Sequence, residues 1–220
     1  MKSTLAFLKD LSANNQRDWF QANKKAYDQS RSEIIQLCSE VISDLSQFDP
    51  LVADIPPAKA VFRIYRDTRF SANKTPYKNN QGFWLSPSNV KEPIAGYYVH
   101  IQPNESFIAA GIYMPQSKEL NAIRQEINFN HEALRKILDR KTFREIWGDL
   151  MDDQLKTMPR GFEKDHPAAD LLKYKSFVVS RKLSDKEVIA SGLSKKIAEI
   201  LSTAIPLVHF LNEALSMAKD

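Results

Sequence analysis

Apolar positions recur every three to four residues toward both ends of the chain and alternate in the middle, the contrast that separates helix from strand. Residues 4–11 read as a short amphipathic helix. Asn14 or Asn15 then offers a cap to a second, long helix with Asp18 in its first turn, where a carboxylate complements the helix dipole. In that helix the stripe of Ile34, Leu37, Cys38, Val41 and Leu45 is regular, whereas residues 28–32 interrupt it and predict a bend. Asp49-Pro50 ends it. Pro50, Pro56 and Pro57 mark a connector, because a proline inside a helix or central strand forfeits a backbone donor.

From Ala60 the period changes to two. Residues 61–65, 82–86, 96–102 and 107–113 are short runs rich in aromatic and β-branched side chains, separated by Pro, Asn and Gly, and they predict four antiparallel strands paired in sequence order. The helical period returns after Pro115 through Leu120, Ile123, Ile127, Leu134, Ile137 and Leu138, with a further turn or two over 143–150. Residues 158–167 are irregular and 176–181 read as one more strand. Ser184 and Glu187 form a capping box, and 193–218 is a last helix that Pro206 kinks. The expected fold class is α+β: a central antiparallel β-meander flanked by N-terminal and C-terminal helices, in one domain over residues 1–220.

The chain of 220 residues, 43% hydrophobic and 26% charged, has the make-up of a folded globular domain. No window approaches the roughly 18 consecutive apolar residues that a membrane helix requires, so a soluble, cytoplasmic protein without membrane contact is expected. Cys38 lies on the apolar stripe of its helix, with no histidine or basic residue beside it in sequence to lower its pKa. It reads as a core thiol rather than a nucleophile.

The net charge of +4 is unevenly placed. Between Lys59 and Gly82 six basic residues, Lys59, Arg63, Arg66, Arg69, Lys74 and Lys78, face one acid, Asp67, which leaves +5 there and −1 over the remainder. Clustered like charge draws a counter-ion where a mixed surface does not. Strand alternation over 61–67 would send Phe62 and Ile64 to the core and Arg63, Tyr65 and Asp67 to the opposite face.

The run Phe62-Arg63-Ile64-Tyr65-Arg66-Asp67-Thr68-Arg69-Phe70-Ser71, continued by Lys74-Thr75-Pro76-Tyr77-Lys78, resembles the signature of an uncharacterised family, a domain of unknown function. Further matching residues follow in order: Gly96-Tyr97-Tyr98 with His100; Gly111, Tyr113 and Pro115; Pro159 with Gly161-Phe162; Asp165-His166-Pro167; and Lys173, Lys175-Ser176-Phe177 with Arg181. They span nearly the whole chain. Arg160 departs from the lysine expected there and keeps its charge. The resemblance implies the domain extent and a soluble character, and it implies no activity.

Two readings of the basic segment stay open. Asp67 could hold the guanidiniums of Arg63, Arg66 and Arg69 in forked hydrogen bonds and brace the chain, yet one carboxylate cannot neutralise them together with Lys74 and Lys78. The surplus suits an anion such as phosphate, and Tyr65, Tyr77 and Trp84 offer flat surfaces on which a ring could stack. Lys173, Lys175 and Arg181 flank the strand at 176–181; they either add to the cluster or protect a strand edge.

Candidates for proton transfer are Asp67, His100, which shares a strand face with Tyr98 and Gln102, and His166 on its loop, where an Asp-His pair before proline also makes an ordinary turn. His131 and His209 sit in helical patterns and read as structural. Six scattered glycines make neither a P-loop nor a dinucleotide fingerprint, and the histidine and cysteine spacing gives no metal site. No cofactor and no oligomeric state can be read.

Three functions compete. The first is an enzyme or binder for a small phosphorylated or otherwise anionic ligand, held by Arg63, Arg66, Arg69, Lys74, Tyr77 and Lys78 with Lys175 and Arg181. The second is nucleic-acid binding, for which +4 overall is weak. The third is a non-catalytic interaction module.

Overall fold

A computed structural model describes residues 1–86 and 94–217, and among them are ten α-helical segments and one four-stranded antiparallel sheet, an α+β fold. The strands are β1 (Gln81–Leu85), β2 (Gly96–Ile101), β3 (Phe107–Ile112) and β4 (Phe177–Lys182), hydrogen-bonded in the order β1-β2-β3-β4. Three match predicted strands of the meander; β4 is the strand read at 176–181. The chain clusters into two compact units, neither continuous in sequence: Met1–Leu85, Tyr98–Ile108 and Lys182–Glu199 in one, Ser86–Tyr97, Ala109–Arg181 and Ile200–Asp220 in the other.

The first unit begins with α1 (Lys2–Ala13), α2 (Arg17–Ala22) and α3 (Lys24–Leu45). α1 packs on α3 with Phe7, Leu8 and Leu11 buried against the stripe of Ile34, Leu37, Cys38, Val41 and Leu45. The bend expected at 28–32 is absent. Ser30 is buried there and its hydroxyl accepts from Gln81 Nε2, so a polar residue faces inward without interrupting the helix. The break falls at Asn23 (φ −106°, ψ 19°), whose amide donates to the Trp19 carbonyl at 2.9 Å and closes α2. Neither Asn14 nor Asn15 caps α2: Asn14 donates back to the Asp10 carbonyl at the end of α1, and Asn15 turns elsewhere. A 3₁₀ turn (Pro50–Val52) and α4 (Pro57–Ala60), each with proline in its first turn, make up the connector.

Residues 61–65 are not a strand. They form two isolated antiparallel bridges, Val61 to Phe83 and Tyr65 to Tyr77. Three residues separate Val61 from Tyr65 while five separate Tyr77 from Phe83, so the returning chain carries two residues too many for a continuous ladder. The surplus falls at 78–82, and it spoils the expected alternation too. Val61 and Ile64 are buried, whereas Phe62 is 46% exposed rather than in the core.

α8 (Asp185–Val188) carries the predicted capping box, Ser184 and Glu187 bonding reciprocally. The last helix divides into α9 (Leu193–Ser202) and α10 (Ile205–Met217), with Pro206 in the first turn of α10; Ala218 lies outside the described residues.

In the second unit α5 (Ser117–Leu138) packs along α10, and Asn130 departs from helical geometry (φ −126°, ψ 32°). α6 (Lys141–Trp147) and α7 (Ala169–Leu172) complete it. Gly111 sits at φ +121° in β3, and a Cβ there would lie 1.9 Å from the Phe177 carbonyl oxygen of β4. Only glycine permits that approach. No single helix among the described residues is long and apolar enough to cross a membrane.

Candidate functional site

The chain from Ile64 to Lys78 is a loop closed at its neck. Lys78 N donates to Ile64 O at 2.8 Å, Arg66 N donates to Pro76 O at 2.9 Å, and the tip between them carries Arg69 and Lys74. The neck rests on an aromatic floor. Tyr77 is buried with its ring stacked on Phe20, centroids 4.0 Å apart and planes 14° apart, and Tyr65 packs on both rings at 6.0 and 5.4 Å. Asn15 pins the same point: its amide donates to Tyr77 O at 2.9 Å and its carbonyl accepts from Tyr77 N at 3.1 Å. The side chain expected to cap a helix instead satisfies both backbone groups of Tyr77.

The structure sorts the cations of this loop into two groups. Arg69 is spent internally. It makes a forked pair with Asp67, Nε to Oδ1 at 3.0 Å and Nη2 to Oδ2 at 2.7 Å, and its backbone N–H caps the same carboxylate at 3.2 Å. These bonds, with the charge of Arg63, hold the Asp67 carboxyl below its usual range, so it is an anion rather than a proton donor near neutrality. Lys74 donates to the Thr68 carbonyl at 3.0 Å and braces the tip.

Arg66 and Lys78 are different. Arg66 is half-buried and donates to two hydroxyls, Thr75 Oγ1 and, at 3.4 Å, Ser71 Oγ. Lys78 lies over the Phe62 ring at 5.4 Å, and burial together with the charge of Arg63 lowers its pKa. Among the described residues neither is paired with a carboxylate. Both line an open cleft of about 460 Å³ whose other walls are Ser12, Asn15, Asn73, Thr75, Tyr77, Asn79 and Asn80. No acid lines it. Asn79 and Asn80 reach it because they are part of the surplus between Tyr77 and Phe83.

Sequence reasoning missed the neutral half of this wall. Asn15, Asn73, Thr75, Asn79 and Asn80 carry no charge, but four asparagines within reach of two cations is a signal that a search for amide donors would have found. Of the predicted binding residues, Arg66, Tyr77 and Lys78 come together here. Arg69 and Lys74 serve the loop, and Arg63 is exposed. Lys175 and Arg181 belong to the second unit, where Lys175 pairs with Asp153, whose other oxygen accepts from Ser176 at 3.1 Å.

His100 shares the outer face of β2 with Tyr98 and Gln102, as alternation requires. Both of its ring nitrogens are engaged: Nδ1 with Tyr98 Oη at 2.9 Å and Nε2 with Gln102 Oε1 at 3.0 Å. Gln102 Nε2 reaches Glu105. A carboxylate only accepts, so Gln102 turns its amide to Glu105 and its oxygen to His100, and His100 carries its proton on Nε2 and accepts from Tyr98. Burial lowers the His100 pKa and keeps it neutral in that role. His166 Nδ1 accepts from Ala168 N at 3.0 Å, as a turn cap does, and its ring meets that of His131 at 5.5 Å. Cys38 is fully buried, and burial pushes its thiol up to about 12.

The second unit has its own charged cleft, of about 100 Å³, and it makes a useful contrast. Its arginines are matched by acids: Arg135 with Asp170 at 2.6 Å, and Arg144 with Asp139 and Asp149, each at 3.1 Å. The cations there are already answered.

The family model described as "Conserved hypothetical protein (DUF2461)" matches residues 3–210. The chain belongs to that family. No curated protein and no solved structure matches it. The matched residues fall in both units and include the loop, the cleft wall and the hydrogen-bond chain from Tyr98 to Glu105.

Proposed function

We propose that the protein binds a small phosphorylated or otherwise anionic molecule in the cleft beside the 64–78 loop, with Arg66 and Lys78 as its charged contacts and Asn79 and Asn80 as neutral donors. One observation carries this reading: two half-buried cations face a cleft that, among the described residues, holds amides and hydroxyls and no carboxylate. Burial first and the charge of Arg63 next lower the Lys78 pKa, and an anion held beside Lys78 favours its charged form against both. A guanidinium held by hydroxyls keeps its fork partly available for two oxygens of one phosphate.

The exposed rings of Phe62, Tyr65 and Phe70, next to Arg63 and Arg69, support a second reading, stacking of single-stranded nucleic acid on the loop. It ranks below the first because Arg69 is tied to Asp67.

Thermal shift against inorganic phosphate tests the first reading. A ligand that binds only the native state stabilises by about 2.7 kcal/mol at 100 times its dissociation constant. The wild-type protein and Arg69→Ala should both be stabilised, and the Arg66→Ala, Lys78→Ala double variant should not. Stabilisation of the double variant equal to wild type refutes the site. Stabilisation by short oligonucleotides and not by phosphate, lost in Phe70→Ala, moves the assignment to the second reading.

A further inference from the structure

A second open cleft, of about 390 Å³, adjoins the first and shares Ser12 and Asn79 with it. The two differ in charge. Where the first has two cations and no acid, the second has Lys9 and Glu105, one of each sign, with Gln102 and Asn104 as neutral polar groups and no aromatic ring in its wall. A ligand lying across both would therefore be anionic at one end and uncharged but rich in hydrogen-bonding groups at the other.

Glu105 is the outer end of the chain that starts at Tyr98. One of its oxygens accepts from Gln102; the other has no hydrogen-bond partner among the described residues and is open to a donor. Because Gln102 is itself held through His100 and Tyr98, the carboxylate is aimed rather than free to swing. The last turns of α1 line the same cleft through Leu8, Lys9, Ser12 and Ala13, and the Ser12 hydroxyl can both donate and accept. Acceptors from Glu105 and Ser12 sit with donors from Lys9, Asn79 and Asn104. Hydroxyls satisfy both kinds at once. A nucleobase would seek a flat aromatic face, and the wall has none.

We propose that the ligand is a sugar phosphate, its phosphate at Arg66 and Lys78 and its hydroxyls in the second cleft, one of them donating to the open oxygen of Glu105. This rests on the anion reading of the first cleft and adds the chemical class of the ligand.

Titration calorimetry with inorganic phosphate, glucose 6-phosphate, ribose 5-phosphate and adenosine monophosphate, on the wild-type protein and Glu105→Ala, separates the two claims. At least one sugar phosphate should bind tenfold or more tighter than inorganic phosphate. Glu105→Ala should remove at least fivefold of that advantage and leave the affinity for inorganic phosphate within twofold. Glu105→Gln, of equal size, replaces the alanine variant if that one fails to fold. Sugar phosphates no tighter than phosphate, an advantage untouched in the Glu105 variant, or adenosine monophosphate bound tightest would each overturn the inference while the anion site stands. Absence of phosphate binding overturns both.

Discussion

Arg66 donates its guanidinium to the hydroxyl of Thr75, and Thr75 in turn donates its own proton to the side-chain oxygen of Asn73 at 2.8 Å. The direction is set by chemistry, since the asparagine oxygen only accepts and the guanidinium only donates. Thr75 is thus a neutral prop that positions a cation without cancelling it. Thr75→Val keeps the shape and removes both bonds. It should weaken phosphate binding about tenfold, the worth of one hydrogen bond to a charged group, at roughly 1.4 kcal/mol. Chemical unfolding should show little change, because the prop is near the surface; a large fall in stability with unaltered affinity would make Thr75 a structural residue only.

Asn15 joins the cleft to the helices by satisfying both backbone groups of Tyr77. Asn15→Ala leaves a part-buried N–H and C=O unpaired, which costs about 1–3 kcal/mol. Urea unfolding should record that loss, and phosphate affinity should fall with it because the neck of the loop loosens. An affinity unchanged in the face of a large stability loss would separate the cleft from its floor.

The capping box of α8 supplies a pH dependence with a definite sign. Hydrogen bonds from Lys196 first and Ser184 next lower the Glu187 carboxyl from 4.5 to about 2. A carboxyl whose folded pKa is depressed adds stability that is fully present above its unfolded pKa and is lost as pH falls through the folded one. The melting temperature should therefore decline between about pH 4.5 and pH 2, and Glu187→Gln should flatten part of that decline. Parallel curves for the two proteins would show that the ionised Glu187 carboxylate contributes nothing.

Cys38 should be silent in the folded state. Its thiol is fully buried with a pKa pushed up to about 12, so a water-soluble disulfide reagent at neutral pH should find it only after unfolding. Labelling in native buffer should be slow and should become fast in denaturing urea. Rapid native labelling would mean that α3 opens far more readily than its packing implies.

Much of this was legible beforehand because the burial pattern carries it. The stripe from Ile34 to Leu45, the alternation of Tyr97, Val99 and Ile101 against Tyr98 and His100, and the Ser184 to Glu187 box each follow from residue type and spacing. What escaped depends on register and partner choice. The run 61–65 has strand composition, yet its partner chain is two residues too long, which no local pattern reveals. Asn15 has the chemistry of a helix cap and spends it on Tyr77, 62 positions away. The cations were visible as a group. Their division into Arg69, answered by Asp67, and Arg66 with Lys78, answered by no acid among the described residues, required distances.

The amide shifts of the isotope-labelled protein on addition of inorganic phosphate test the central claim most directly. Thr75, Lys78, Asn79 and Asn80 should move together and saturate, with the amides around Arg135 and Arg144 unmoved. No saturable shift at those four residues, or shifts confined to the arginine-rich cleft of the second unit, would contradict it.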